Sequence, residues 1–438
     1  MERLERNMKS KTVIKKQKIL NQDIFIQIAS YRDSELLPTI RDCIANAKFP
    51  ENLRFVIAWQ HAQEDLWDTM DEFQDDLRFT IIDIPHTDTK GVCWARSKIQ
   101  KYYNGEAYTL QLDSHHRFTK HWDTTLIGMV QDLQAHGHKK PLLTAYIPSY
   151  NPLKDPEERA QEPWWMTFDR FTPGGAVFFI PSVIPDWQRR TLAYPGRFYS
   201  AHFAFTVGQF CLEVPHDPQY LFHGEEISIA VRAYTWGYDL FAPHKVVVWH
   251  EYTRSYRPRK VWDDQPSTWG SRDSESLARN RKLFGMDGEQ MDNDMFGVYG
   301  FGVQRTLEEY ERYAGIKFSV RGLQQHTLDH KPPPNPSIDE VEEYNSSFSS
   351  IFKHCIDIGY GQVPLDDYDF WVVAFENENG DTIHRNDADI NEVKELKKDT
   401  AGYIRLWRQF NTPKKPYKWV VWPHSVSEGW CERIEGLL

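Results

Sequence analysis

Apolar and polar positions along the first third of the chain switch between two periods. Residues 24–28 form a short, nearly continuous apolar run, the pattern of a strand buried in a parallel sheet. Leu36, Leu37, Ile40 and Ile44 then recur at helical spacing. Strand patterns return at 53–59 and 78–84, with helical patterns at 63–73 and 92–103. Tyr108–Leu112 predicts a fourth strand, Trp122–Ala135 a helix and residues 142–147 a fifth strand. Such alternation predicts an α/β fold: a Rossmann-like, mostly parallel sheet with helices on both faces.

The middle of the chain is less regular. Residues 151–163 are polar and carry prolines, which predicts a loop. Strands are expected at 176–180 and 240–249, and a helix opens at Gly224-Glu225-Glu226. Residues 274–284 and 306–313 predict two more helices. The run Lys331-Pro332-Pro333-Pro334-Asn335-Pro336 predicts a stiff, extended linker. Beyond it, 370–375 and 418–422 suggest a small strand-rich module. The expected division is a basic leader (1–22), a main domain (23–330, helical from about 270), a linker (331–337) and a C-terminal accessory module (338–438).

Composition narrows the function classes. The 438 residues carry a net charge of -11, which excludes the basic footprint of a general nucleic-acid binder. No dinucleotide fingerprint and no Walker loop is present. Five scattered cysteines without a CxxC pair suit a reducing compartment and predict no structural zinc. No apolar run would span a bilayer and no signal-peptide core is evident, so a cytoplasmic protein is expected. The leader holds Arg3, Arg6, Lys9, Lys11, Lys15, Lys16 and Lys18. It would suit peripheral contact with an anionic membrane, a solvated leader, or an arm joining a homo-oligomer. The 16 tryptophans lean toward a carbohydrate partner, although aromatic rings also fill cores.

Candidate chemistry concentrates where the strand Tyr108–Leu112 ends in Asp113-Ser114-His115. Alternate residues at a strand's end share a face, so Asp113 and His115 can address one object. A carboxylate with an imidazole suits a divalent metal such as Mn²⁺ or Mg²⁺. In α/β sheets the carboxyl ends of strands are where ligands bind. His250 follows the apolar run 246–249 and is a third candidate ligand. A metal that holds a diphosphate would make this a sugar-nucleotide enzyme. Arg254 could add positive charge near the leaving group.

Ser30-Tyr31-Arg32-Asp33, at the first strand-to-helix turn, can meet a nucleoside. Asp33 would reach base or ribose, Arg32 phosphate or base, and Tyr31 would stack; Asp33 could equally be a helix cap. Gly91-Val92-Cys93-Trp94-Ala95-Arg96 offers a second such turn, with Gly91 permitting close approach and Arg96 supplying charge. Glu225 and Glu226 could touch the sugar or acceptor, or simply complement a helix dipole. Asp387 and Asp389 lie in a polar stretch and are expected to be a solvated turn.

Taken together and in order, these motifs resemble the GT-A-fold GlcNAc transferases related to the cytoplasmic enzyme that modifies hydroxyproline on a ubiquitin-ligase adaptor. The resemblance rests on Ile28-Ala29-Ser30-Tyr31-Arg32-Asp33, Gly91 to Arg96, Asp113-Ser114-His115-His116-Arg117-Phe118, Gly224-Glu225-Glu226-Ile227 and His250-Glu251-Tyr252. It implies a GT-A-type sheet, UDP-GlcNAc as donor, a divalent cation and retention of configuration. The site logic is also similar to that of the polypeptide GalNAc transferases. By that likeness Asp113, His115 and His250 bind manganese. Ser30, Tyr31, Arg32, Asp33, Arg96, Asp113 and Arg254 fall at the nucleotide, and Glu225 and Glu226 at the sugar and acceptor. The implied partners are a UDP-sugar donor and a protein or glycan acceptor. A metal-dependent nucleotide-sugar hydrolase and a non-catalytic carbohydrate-binding protein are the alternative classes.

Overall fold

The computed structural model describes residues 22–254, 256, 260–264, 266–398 and 402–438. All but one residue of the expected basic leader lie outside the described residues.

The first strands and helices are β1 (Ile24–Tyr31), α1 (Leu36–Asn46), β2 (Leu53–His61), β3 (Phe79–Pro85), α2 (Val92–Gln100), β4 (Tyr108–Leu112), β5 (His116–Phe118), α3 (Trp122–Ala135) and β6 (Pro141–Thr144). They are followed by β7 (Trp164–Phe171), β8 (Val177–Val183), β9 (Tyr194–Pro195), β10 (Phe203–Val207), α4 (Phe210–Glu213), α5 (Glu225–Thr235), β11 (Asp239–Ala242) and β12 (Val248–His250). One sheet of eight strands runs in the order β3-β2-β1-β4-β10-β6-β11-β9. Strands β1 to β4 are mutually parallel, and β6 pairs parallel with β11; β10 and β9 run antiparallel to their neighbours.

Strand periodicity explains the layers. Ile24, Ile26 and Ile28 of β1 pack with Leu36 and Ile40 of α1 and Leu126 and Val130 of α3. Phe25 faces the other way, into Ala95 and Ile99 of α2 and Cys211 of α4. Further along, Leu142, Ala204 and Leu240 pack with Ile227 and Ala230 of α5. Helices thus cover both faces, as the alternation implied.

Two local expectations change. Residues 63–73 form no α-helix, only a 3₁₀ turn at Asp71–Phe73. The carboxylates of Asp65 and Asp68 are drawn away to Arg32 and to the Trp59 indole, and Leu66 is 90% exposed, so of the helical spacing only Met70 and Phe73 reach the core. The strand expected over 240–249 is two strands, parted after Ala242 by Pro243, which has no N–H to give a ladder. Its second half, β12, pairs antiparallel with β5 rather than joining the large sheet. The strand expected at 176–180 is β8, paired only with β7.

Helices α6 (Val261–Asp264) and α7 (Pro266–Phe284) lead to α8 (Leu307–Ala314), which opens on a Thr306–Glu309 capping box. Next come β13 (Ile316–Lys317), β14 (Gly322–Gln324), β15 (Phe348–Gly359), β16 (Tyr368–Glu376), β17 (Thr382–Arg385), β18 (Ala388–Asp389), β19 (Tyr403–Thr412), β20 (Lys418–Ser425), β21 (Gly429–Trp430) and β22 (Ile434–Leu437). One antiparallel sheet is β13-β14-β15-β19; a second is built around β16 and β20. Ile356, Ile358 and Leu406 of the first share a core with Trp371, Val373 and Val421 of the second.

The proline stretch is docked. Asn335 is buried, and its side chain accepts from the buried Arg197 guanidinium at 2.6 Å. Strand pairing runs across this stretch, because β14 before it pairs with β15 after it. Asp389 caps the helix Ile390–Leu396 and Asp387 pairs with Arg385. No helix among the described residues is long and apolar enough to cross a membrane.

Candidate active site

The parallel strands end on one edge of the sheet, and a cleft lies there. One lobe, of about 650 Å³, is lined by Tyr31, Gln60, Thr89, Gly91, Ser114 and Trp262, among others. A second, of about 1000 Å³, is lined by Tyr146, Phe178, Phe179, His202, Glu225 and Glu226, among others. Asp113 and Arg254 line both, so the lobes meet at the end of β4.

Asp113, His115 and His250 converge at that junction. Each offers a ligand atom, and all three atoms lie within 4.8 Å of one another. Asp113 leaves β4 directly, whereas His250 is set opposite His116 by the β5–β12 ladder and bridges to Ser149. The two Asp113 oxygens are divided. Oδ1 accepts from the Arg96 guanidinium at 2.7 Å. Oδ2 faces the imidazoles, 3.8 Å from His115 Nε2 and 3.6 Å from His250 Nε2.

The electrostatics prepare these groups as ligands. Burial opposes charge on Asp113, but the neighbouring His250 imidazole and Arg96 guanidinium hold its carboxyl well below the usual range. Burial, then His202, pushes His250 far down, so its imidazole is neutral. His250 Nε2 is buried and makes no hydrogen bond among the described residues. Such an orphan costs free energy unless something outside the chain meets it. One carboxylate with two imidazoles is a donor set that fits Mn²⁺.

Asp33 orients His115. Its Oδ2 stands 2.9 Å from His115 Nδ1 and also accepts from Ser114 Oγ. Its Oδ1 accepts from the Glu35 N–H and the Tyr256 hydroxyl, each at 3.0 Å. A carboxylate holding the far nitrogen of a ligand histidine fixes tautomer and ring direction.

The other expected nucleotide residues have protein partners. Arg32, expected at phosphate or base, sits at φ +44° and pairs with Asp65 at 2.6 Å, Asp264 at 3.2 Å and Glu64 at 3.3 Å. The Tyr31 hydroxyl donates to Asp264 at 2.6 Å, while its ring lines the smaller lobe. Ser30 is fully buried in β1. Arg96 bridges Asp113 to Glu225, donating to both Glu225 oxygens at 3.1 Å. The close approach permitted by Gly91 is to the chain itself. At φ +105°, a Cβ there would fall 2.7 Å from Leu221 Cδ1 and 2.8 Å from its carbonyl oxygen. Arg254 is the cation of the set that faces both lobes, with its guanidinium over the Phe222 and Trp262 rings at 5.5 and 5.9 Å.

Glu225 and Glu226 open α5 but face different surroundings. Glu225 is locked by Arg96 and by the Cys93 thiol at 2.6 Å. Glu226 accepts from the Ala201 N–H at 2.9 Å and the Tyr146 hydroxyl at 2.8 Å, and burial raises it to about 7. Of the two, Glu226 has no cationic partner among its hydrogen bonds to the described residues and can exchange a proton near neutrality.

Sequence reasoning missed His116, His202 and Tyr146. His202 stacks on His250 at 4.1 Å, and burial lowers it to about 3. No local pattern marks it, since it lies in an irregular stretch before β10. His116 adjoins the Asp-x-His pair and packs 4.9 Å from His250; its signal was present in the motif itself.

A mostly parallel α/β sheet with a cation-competent cleft at its carboxyl edge is the class these features define. The chain belongs to the glycosyltransferase (GlcNAc) family, which residues 23–77 and 68–320 match. This is the family level of the resemblance seen in the motifs. No curated protein matches the chain in sequence. Among solved structures, it is similar to GalNAc-T7 with UDP, GalNAc and Mn²⁺ at 11% identity and TM-score 0.43, covering 72% of this chain and 60% of that one. It is also similar to S. aureus TarS at 12% identity and TM-score 0.36, covering 95% and 77%. TarS 1-349 in complex with UDP-GlcNAc gives 11% identity and TM-score 0.34, covering 54% and 60%. The chain thus spans less than two thirds of the length of the first of these relatives.

Proposed function

We propose that this protein is a metal-dependent, retaining glycosyltransferase that moves GlcNAc from UDP-GlcNAc to a hydroxyl of a protein or glycan acceptor. The observation that carries the reading is the meeting of Asp113, His115 and His250 where the two lobes join, in a chain of this family. Asp113 Oδ2 and the Nε2 atoms of both histidines would hold Mn²⁺ or Mg²⁺. When bound, the cation would neutralise charge growing on the departing diphosphate. Five unpaired thiols suit a cytoplasmic setting.

The chain's own residues divide the remaining work. The lobe with Tyr31, Gln60 and Trp262 takes the uridine, and Arg254 adds positive charge at the diphosphate. The sugar lies in the larger lobe, where Phe178 and Phe179 offer apolar surface and Glu226 a proton-exchanging carboxyl. Arg96 holds Asp113 and Glu225 in place rather than touching the diphosphate. The acceptor hydroxyl approaches from the leaving-group side, which retains configuration.

Calorimetry of UDP binding with and without Mn²⁺ tests this. Asp113→Ala should lose the metal-dependent part; unchanged tight binding would overturn the reading. Product analysis separates the rival chemistry, because a hydrolase of the diphosphate releases UMP and sugar phosphate, whereas transfer releases UDP.

A further inference from the structure

Behind the wall of the larger lobe lies a second group of metal-ligating side chains. Cys93, His216 and Glu225 are all buried, and one ligand atom from each falls within 4.8 Å of the others. They come from three separate elements: the first turn of α2, the loop after α4, and the first turn of α5. Cys93 Sγ lies 2.6 Å from Glu225 Oε2, and His216 Nδ1 lies 3.9 Å from that same oxygen.

The tautomer of His216 can be worked out. Its Nε2 is hydrogen-bonded to Gln111 Oε1, while Gln111 Nε2 donates to the Ala201 carbonyl at 2.6 Å. The amide is therefore oriented with its oxygen toward the imidazole, and a carbonyl oxygen only accepts. The proton of His216 is on Nε2, and Nδ1 carries a lone pair. That lone pair is buried, with His216 only 1% exposed, and has no hydrogen-bond partner. It points toward a carboxylate oxygen, an acceptor facing an acceptor. Only something electropositive between them relieves that arrangement.

We propose that Cys93, His216 and Glu225 form a second metal site that takes Zn²⁺ in preference to Mn²⁺ or Mg²⁺. A thiolate among the ligands selects a borderline-soft ion, whereas the Asp113 site, with oxygen and imidazole donors, suits harder ones. Binding forms a sulfur–zinc bond and breaks the Cys93 S–H bond, the proton leaving to solvent. Glu225 enters as the carboxylate that Arg96 already holds, and His216 enters through its free lone pair. Tetrahedral zinc needs its sulfur and oxygen ligands about 3.5 Å apart, so Cys93 and Glu225 separate slightly while His216 closes in. Entry is from the larger lobe, which Glu225 lines. The site does not depend on the transferase reading, since none of the three residues belongs to the Asp113 set.

Cobalt is the probe, because a thiolate ligand gives a sulfur-to-cobalt charge-transfer band that carboxylate and imidazole do not. The full-length protein is stripped with chelator, kept reduced and titrated with Co²⁺. The band should grow, saturate at about one equivalent, release about one proton per metal, and collapse on adding Zn²⁺ but not Mn²⁺. It should survive Asp113→Ala and be lost in Cys93→Ser. No band in the wild-type protein, or a band that persists in Cys93→Ser, overturns the proposal. If Cys93→Ser does not fold, His216→Gln replaces it: cobalt binding at least ~10-fold weaker is expected, and unchanged binding overturns the site.

Discussion

Glu226 provides the sharpest test of the larger lobe. Its carboxyl is raised from 4.5 to about 7, chiefly by burial. In the unfolded chain the group ionises near its ordinary value, so the folded state binds the proton more tightly. Stability attributable to Glu226 is therefore greatest below pH 4.5, falls as pH rises toward 7, and is fully lost above it. The elevation corresponds to about 3 kcal/mol, an upper figure because the lobe admits water. Glu226→Gln removes the ionisation while keeping an oxygen for the Ala201 N–H, and the Tyr146 hydroxyl can turn to accept from the new amide. The variant should be more stable than wild type by about 1–3 kcal/mol at pH 8 and indistinguishable from it at pH 4. Urea denaturation at the two pH values measures this. Equal differences at both would show that Glu226 is not buried as an acid-poised group. Sugar transfer should fall in the same variant, because that carboxyl faces the sugar lobe.

Two further outcomes follow from the charges around the junction. Arg96→Ala leaves the buried Glu225 and the half-buried Asp113 without their shared cation and should cost about 3–5 kcal/mol, read by denaturation at pH 7; a loss below 1 kcal/mol would mean the carboxylates are solvated. Asp33→Asn loosens the hold on His115 Nδ1 and should weaken Mn²⁺ binding ~10–100-fold with little change in fold. Manganese paramagnetic resonance reads it, and wild-type affinity would refute the orienting role.

Much of the α/β framework was legible because strand and helix periodicity is local. β1, β4, α2 and α3 fall where apolar spacing put them, and each buries the face its period marks. The two failures have different causes. At 63–73 the helical spacing was real, but Arg32 and Trp59 captured the aspartates. At 240–249 two apolar runs flank Pro243-His244-Lys245, and the break at Pro243 sends them into different sheets.

The site divides in the same way. By itself the sequence determined that Asp113 and His115 share a strand end and that His250 closes another, because residue alternation is a property of the backbone. Only the tertiary structure decided which charge meets which. Arg32 reaches Asp264 across 232 residues, and Arg96 reaches Glu225 across 129. Ion pairs are chosen by proximity after the layers have packed, and no periodicity along the chain encodes that proximity.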